Sequence, residues 1–155
     1  MLELITDRTQ QDVARLEALA RKGFANMTES ERAEWLAPSK GAYNASDLNR
    51  VEAAVTYLHN RLNECGYSFP IESVRTWSDT DLPTVGEMTR YITNVKAIRK
   101  AFATLPTTPA APENMNRFSY FEANAIEQIL TDVDRLLSNA VASFTHSGEI
   151  YGGEL

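Results

Sequence analysis

Apolar residues recur at alternating spacings of three and four along three long stretches of the chain. The first carries Leu48, Val51, Val55, Leu58, Leu62 and Cys65. The second carries Met88, Tyr91, Ile92, Val95, Ile98 and Phe102. The third carries Ile126, Ile129, Leu130, Val133, Leu136, Leu137, Ala140, Val141 and Phe144. This is the stripe of an amphipathic helix that packs nearly side by side with its neighbours. A start signal recurs with it: a capping residue is followed three positions later by an acid, in Thr9/Asp12, Thr28/Glu31, Asn44/Asp47, Thr84/Glu87 and Ser119/Glu122. The first side chain accepts from a free N–H of the opening turn, and the acid reaches back to the cap where the helix dipole favours negative charge. Gly23, Gly66 and Gly148 suit left-handed C-terminal caps, and Pro38 and Pro106 stop the other two segments. The pattern predicts five helices, over 9–22, 28–36, 44–65, 84–104 and 119–147.

The first two helices are shorter and less regular, with Val13, Leu16, Leu19 and Trp35 to dock them on the rest. Residues 67–77 partly alternate and read as extended, with Pro70 against a central strand. Residues 106–112, with three prolines, form a stiff connector too short to separate domains. The expected fold is all-α: a compact bundle of about five helices, three long ones forming the core, with one extended connector. One helical domain spans 1–155, with 148–155 as a candidate flexible tail.

An internal similarity links two helix starts. Tyr43-Asn44-x-x-Asp47-x-Asn49-x-Val51-Glu52-x-x-Val55 matches Phe118-Ser119-x-x-Glu122-x-Asn124-x-Ile126-Glu127-x-x-Leu130. Any two capped amphipathic helices share part of this. Asn49, Glu52, Asn124 and Glu127 lie off the apolar stripes, however, so core packing does not demand them. A true repeat would place both pairs in related surroundings.

Composition adds bounds. At 155 residues, 43% apolar and 23% charged, the chain can bury a core without disulfides or metals, and its one cysteine, Cys65, forms no internal disulfide. It reads as a buried thiol, since a helix C-terminus disfavours the thiolate. No apolar run approaches a membrane span, and the opening residues lack the basic region of a signal peptide. The net charge of −6 argues against nucleic acid and anionic membranes as partners. His59 and His146 stand apart from other ligand types, and Asp79-Thr80-Asp81 lacks the rest of a calcium loop. Asp132 and Asp134 point to different helix faces. Lys96, Arg99 and Lys100 read as favourable charge at a helix C-terminus. No catalytic, cofactor-binding or metal-ligating residues are assigned, and the expectation is a non-enzyme without cofactors.

Candidate contact residues are aromatic or tail-borne, Trp35, Tyr43, Trp77, Ile150 and Tyr151, with the pinning of loops to the bundle as the alternative role of the aromatics. Phe24-Ala25-Asn26-Met27-Thr28 with Glu31 and Glu34-Trp35-Leu36, the run Lys40-Gly41-Ala42-Tyr43-Asn44 to Glu52, Trp77 with Asp81-Leu82-Pro83-Thr84, Tyr120 to Glu127 and Ser147-Gly148-Glu149 to Glu154 together carry a resemblance. They are similar to small, largely uncharacterised prophage proteins of Gram-positive bacteria, many labelled minor structural proteins of the tail region. The resemblance spans most of the chain and brings no catalytic residues. It implies a phage structural or tail-associated protein that acts by protein–protein contact. Expected partners are other virion or tail proteins, with a second copy of the chain as a further candidate. It also implies synthesis in the bacterial cytoplasm, with incorporation in the virion as a further option. The alternative is a non-structural binding module that recognises a host protein or surface glycan through loop aromatics.

Overall fold

A computed structural model describes residues 2–152, with side chains to residue 144. The elements are α1 (Gln10–Lys22), one 3-10 turn (Phe24–Asn26), α2 (Glu29–Leu36), α3 (Ala45–Glu64), α4 (Val85–Ala101) and α5 (Tyr120–Gly152), with no strand among the described residues. Four starts are reciprocal capping boxes, Thr9/Asp12, Thr28/Glu31, Asn44/Asp47 and Thr84/Glu87. At the fifth, Ser119 Oγ accepts from the Phe121 N–H at 3.2 Å and Glu122 accepts from the Ser119 N–H at 2.8 Å. Glu31 also takes a bond from Lys22, which with the Thr28 N–H lowers its pKa to about 2. Gly66 (φ 88°) ends α3 in the left-handed conformation, while the Tyr67 N–H reaches Leu62 O at 2.8 Å and the Gly66 N–H reaches Asn63 O at 3.0 Å.

Two ends differ from the sequence expectation. Helix α4 stops at Ala101, with Phe102 extended, rather than reaching 104. Helix α5 passes through Gly148 and runs to Gly152, so this glycine is a helical residue and not a cap. Glycine in a helix costs only about 1 kcal/mol, which a long helix absorbs.

The three long helices run in the same direction. Arg50 and Arg61 of α3 pair with Glu127 and Asp134 of α5, so both helices advance together. Arg90 of α4 meets Glu52 of α3, each in the first half of its helix. Parallel neighbours need connections that return along the helix, about 30 Å for the twenty residues of α3. Residues 67–77 do this, passing His59 at Phe69 and Asn49 at Trp77. Residues 105–115 do the same between α4 and α5, with Arg99 on Pro109 and Lys96 on Glu113. The N-terminal segment, residues 2–8, fills the third groove, from Asp134 at Leu2 to Asn124 at Arg8. Three parallel helices thus alternate with three extended segments around one axis.

Each long helix packs on the other two, and their stripes form one core. It includes Val51, Val55, Leu58 and Leu62 of α3, Ile92, Val95 and Ile98 of α4, and Ile126, Ile129, Leu130, Val133 and Leu137 of α5. Helices α1 and α2 pack against each other beside this triangle. Leu19 is buried, whereas Trp35 is 37% exposed and does not dock as its apolar character suggested. At Gly41 the chain comes so close to α1 that an added Cβ would lie 2.2 Å from Asp12 O. Beyond Leu137 the α5 stripe is more open to solvent: Val141 and Phe144, expected in the core, are exposed. From there α5 continues for a further 15 residues or so, about 20 Å.

Leu130→Ala should cost about 2–5 kcal/mol and Val55→Ala a value near the low end of that range, measured by urea unfolding. Phe144→Ala should stay within about 0.5 kcal/mol, which separates the covered part of the stripe from the uncovered part.

Candidate interaction surface

The repeated asparagines and glutamates turn out to be clamps on the extended segments. Asn49 takes the Trp77 N–H on Oδ1 at 2.7 Å and donates from Nδ2 to Trp77 O at 2.8 Å. Asn124 treats Arg8 in the same way, at 3.0 and 2.9 Å. The two positions have the same job in adjacent grooves, so the internal similarity has a structural counterpart. A third residue, buried Asn94, does this for Glu72 at 2.8 and 2.9 Å, outside the repeat register. An isolated extended strand has no ladder partner, and a carboxamide supplies both a donor and an acceptor to one residue.

The glutamates complete the pattern. Glu52 is buried and bound by Arg90, and it accepts from the Trp77 indole Nε1 at 3.4 Å. Glu127, with no exposure, accepts from Arg8 at 2.7 Å, from Arg50 at 2.8 and 2.9 Å and from the Ile5 N–H at 2.6 Å. Asp47 also binds Arg8 and Arg50. Two guanidinium groups and two carboxylates thus form a neutral buried cluster. Bonds to Glu127 raise the Arg50 pKa further, so that its charge is fixed. Asp132 and Asp134 serve different grooves, as their spacing indicated: Asp132 accepts from Thr108 Oγ1 at 2.6 Å, and Asp134 binds Arg61 at 2.6 Å. Arg99 and Lys96 hold carbonyls of the returning segment, a role more specific than that of helix-end charges. Among the described residues no cluster of acids, histidines and cysteines could hold a metal ion. No described helix is long and apolar enough to cross a membrane.

The candidate contact residues have separate fates. Trp77 is only 4% exposed, with Arg75 stacked 4.5 Å from its ring centre, so it is a core residue and not a docking aromatic. Trp35 stays partly exposed on α2. Tyr43 is half-buried; its hydroxyl bonds to that of Tyr91 at 2.6 Å, and its ring meets Phe118 edge-on at 4.7 Å. Ile150 and Tyr151 lie on the last turn of α5, and their side chains are outside the described residues. Cys65, expected buried, is exposed at the α3 cap. Tyr43 also walls a half-open cavity of about 360 Å³ between the turn at 40–43, the start of α1 and the start of α5. Its other walls include Arg8, Lys40, Phe118 and Phe121, and the sequence reading missed all four. Only Phe121, an apolar residue off the α5 stripe, gave a signal that could have been read.

No protein-family model, curated protein or solved structure matches the chain. The buried polar groups are taken up in holding the extended segments in their grooves.

Glu127→Gln should cost about 3–5 kcal/mol in denaturant unfolding, since it leaves the fully enclosed Arg8 short of countercharge. Glu52→Gln should cost less, because Arg90 has some access to solvent. Burial pushes the pKa values of Tyr43 and Tyr91 up. Their neutral pair should contribute stability in full below the unfolded phenol value of about 10 and lose it as pH rises past that value. In an absorbance titration, Tyr43→Phe and Tyr91→Phe should leave the ionisation amplitude at pH 10 unchanged.

Proposed function

We propose that this protein is a phage or prophage structural component, associated with the tail, that works by protein–protein contact. The resemblance stated above supports the class. The geometric support is α5, which runs on about 20 Å past Leu137, the last fully buried apolar residue among the described ones, with Val141 and Phe144 exposed along the way. A compact body with a projecting helix suits an adaptor: the body is rigid and the helix is available for a partner. The buried carboxylates and arginines are already paired with each other and with backbone groups, so the reading needs no chemistry from them. The alternative, a module using loop aromatics on a host protein or surface glycan, loses Trp77 to the core and half of Tyr43 to the Tyr91 contact.

A chain ending after Asn139 keeps every buried core residue of α5. It should retain its helical bundle and melt cooperatively, yet lose association with a second copy or a co-expressed tail protein in light scattering after gel filtration. The full-length chain should be found by mass spectrometry in purified particles. A monomeric full-length protein that is absent from particles would defeat the reading.

A further inference from the structure

The cavity beside Tyr43 has features of a built site. Its walls bring together the start of α1 at Gln10, the 40–43 turn and the start of α5 at Ser119–Phe121. Gly41 makes this possible, since a side chain there would collide with Asp12 and Leu16 of α1. One wall is aromatic: Tyr43 and Phe118 meet edge-on, and Phe121, 66% exposed, stacks on Tyr120 at 4.2 Å. The volume of about 360 Å³ falls in the range of small-ligand pockets.

The polar lining is one-sided. In a chain of net charge −6, the cavity is lined by no carboxylate; its cations are Lys40 and Arg8, and the Arg8 charge is already held by Asp47 and Glu127, which leaves Lys40 as the one that can turn to a ligand. Acids stand nearby, but each has its own partner: Asp7 on Lys40 at 2.6 Å, Asp12 on the Thr9 cap at 2.7 Å and Glu122 on the Ser119 cap. The Lys40–Asp7 pair is exposed, and such pairs exchange at little cost. Arg8 is 3% exposed, its guanidinium lies 5.4 Å from the Tyr43 ring centre, and its Nε is the one buried side-chain polar atom without a partner among the described residues. Two helix starts meet at the mouth, each already holding its own capping acid, Asp12 at α1 and Glu122 at α5.

We infer that this cavity receives a peptide segment of a protein partner in which a carboxylate stands next to an aromatic or aliphatic side chain. The apolar side chain lies against Tyr43, Phe118 and Phe121. The carboxylate draws Lys40 away from Asp7 and faces the first turns of α1 and α5. The site is separate from the α5 projection, so it stands or falls independently of the structural role proposed above.

The test uses the full chain, ¹⁵N-labelled, and four probes: a blocked tetrapeptide of glycine, glutamate, phenylalanine and glycine; the same peptide with glutamine for glutamate; the same with glycine for phenylalanine; and free 3-phenylpropionate. The first peptide should shift the amides of Gly41, Ala42, Ser119 and Ala123 in a saturable way, with Kd in the range of about 1 mM, as expected for a few contacts on a short flexible ligand. Either altered peptide should bind at least about fivefold more weakly, which corresponds to about 1 kcal/mol. Lys40→Gln and Phe121→Ser, at exposed positions, should leave the melting temperature unchanged and weaken the first peptide to the same degree. Saturable binding of 3-phenylpropionate with no binding of the peptide would overturn the partner class in favour of a free small acid. Equal shifts from all three peptides, shifts elsewhere on the surface, or full affinity in both variants would overturn the site.

Discussion

An extended chain lying across helices has peptide groups with no ladder to join, and this constraint organises the whole molecule. Parallel packing of α3, α4 and α5 forces both connections between them to run back along the bundle, and with the N-terminal segment three extended segments lie in three grooves. Backbone N–H and C=O groups left unpaired in such a position would each cost on the order of 1–3 kcal/mol. Helix side chains supply the partners: Asn49 on Trp77, Asn94 on Glu72 and Asn124 on Arg8, each giving one donor and one acceptor to a single residue. Without these clamps the segments would be loops, and the apolar stripes beneath them would face water.

The charges follow from the same geometry. Arg50 and Arg90 hold the same place after their caps Asn44 and Thr84, and each reaches back to the glutamate of the preceding groove wall, Glu127 and Glu52. At the third interface the corresponding places are Ala125 and Ile92, an apolar pair, and Ile92 is buried. Replacing a buried ion pair by apolar residues is often neutral or stabilising, so the α4–α5 groove shows that the pairs are not needed for packing as such. What they add is position. Glu127 holds the Ile5 N–H and Arg8 together, and Glu52 holds the Trp77 indole, so each pair fixes its segment in register as well as its neighbouring helix. In the α4–α5 groove Arg99 and Lys96 hold carbonyls directly, and Thr108 is tied to Asp132.

The helices were legible because their signals are local. A cap and an acid three residues later act within one turn, and all five starts fall where those residues place them. The repeat of Asn49 and Glu52 in Asn124 and Glu127 was also visible, since polar residues at matched places need a reason that core packing does not give. Their partners were not visible. That Asn124 would meet Arg8, 116 positions away, depends on the parallel arrangement, and periodicity says nothing of helix direction. Trp77 shows the same limit: its place in a loop allows either a contact role or a pin to the bundle, and its indole and backbone are both held by α3. The overrun of α5 past Gly148 was missed because a glycine that ends one helix sits inside another, and only φ distinguishes them. The cavity escaped altogether, being assembled from two helix starts and a turn that are distant in sequence.

Arg8 connects the two halves of this picture. It is the last residue of the N-terminal segment, it is gripped by Asn124, Asp47 and Glu127, and it lies under the Tyr43 ring that walls the cavity. Tyr43 in turn is bonded to Tyr91 of α4 and packed on Phe118 at the entrance to α5. A segment bound against Tyr43 and Phe118 would therefore press on contacts that hold the N-terminal segment in its groove. A ligand that binds only the closed arrangement stabilises it by RT ln(1 + [L]/Kd), about 1.4 kcal/mol at roughly tenfold excess over Kd. That stabilisation would reach residues 2–8 through Arg8, at the one groove whose segment is not a link between two long helices.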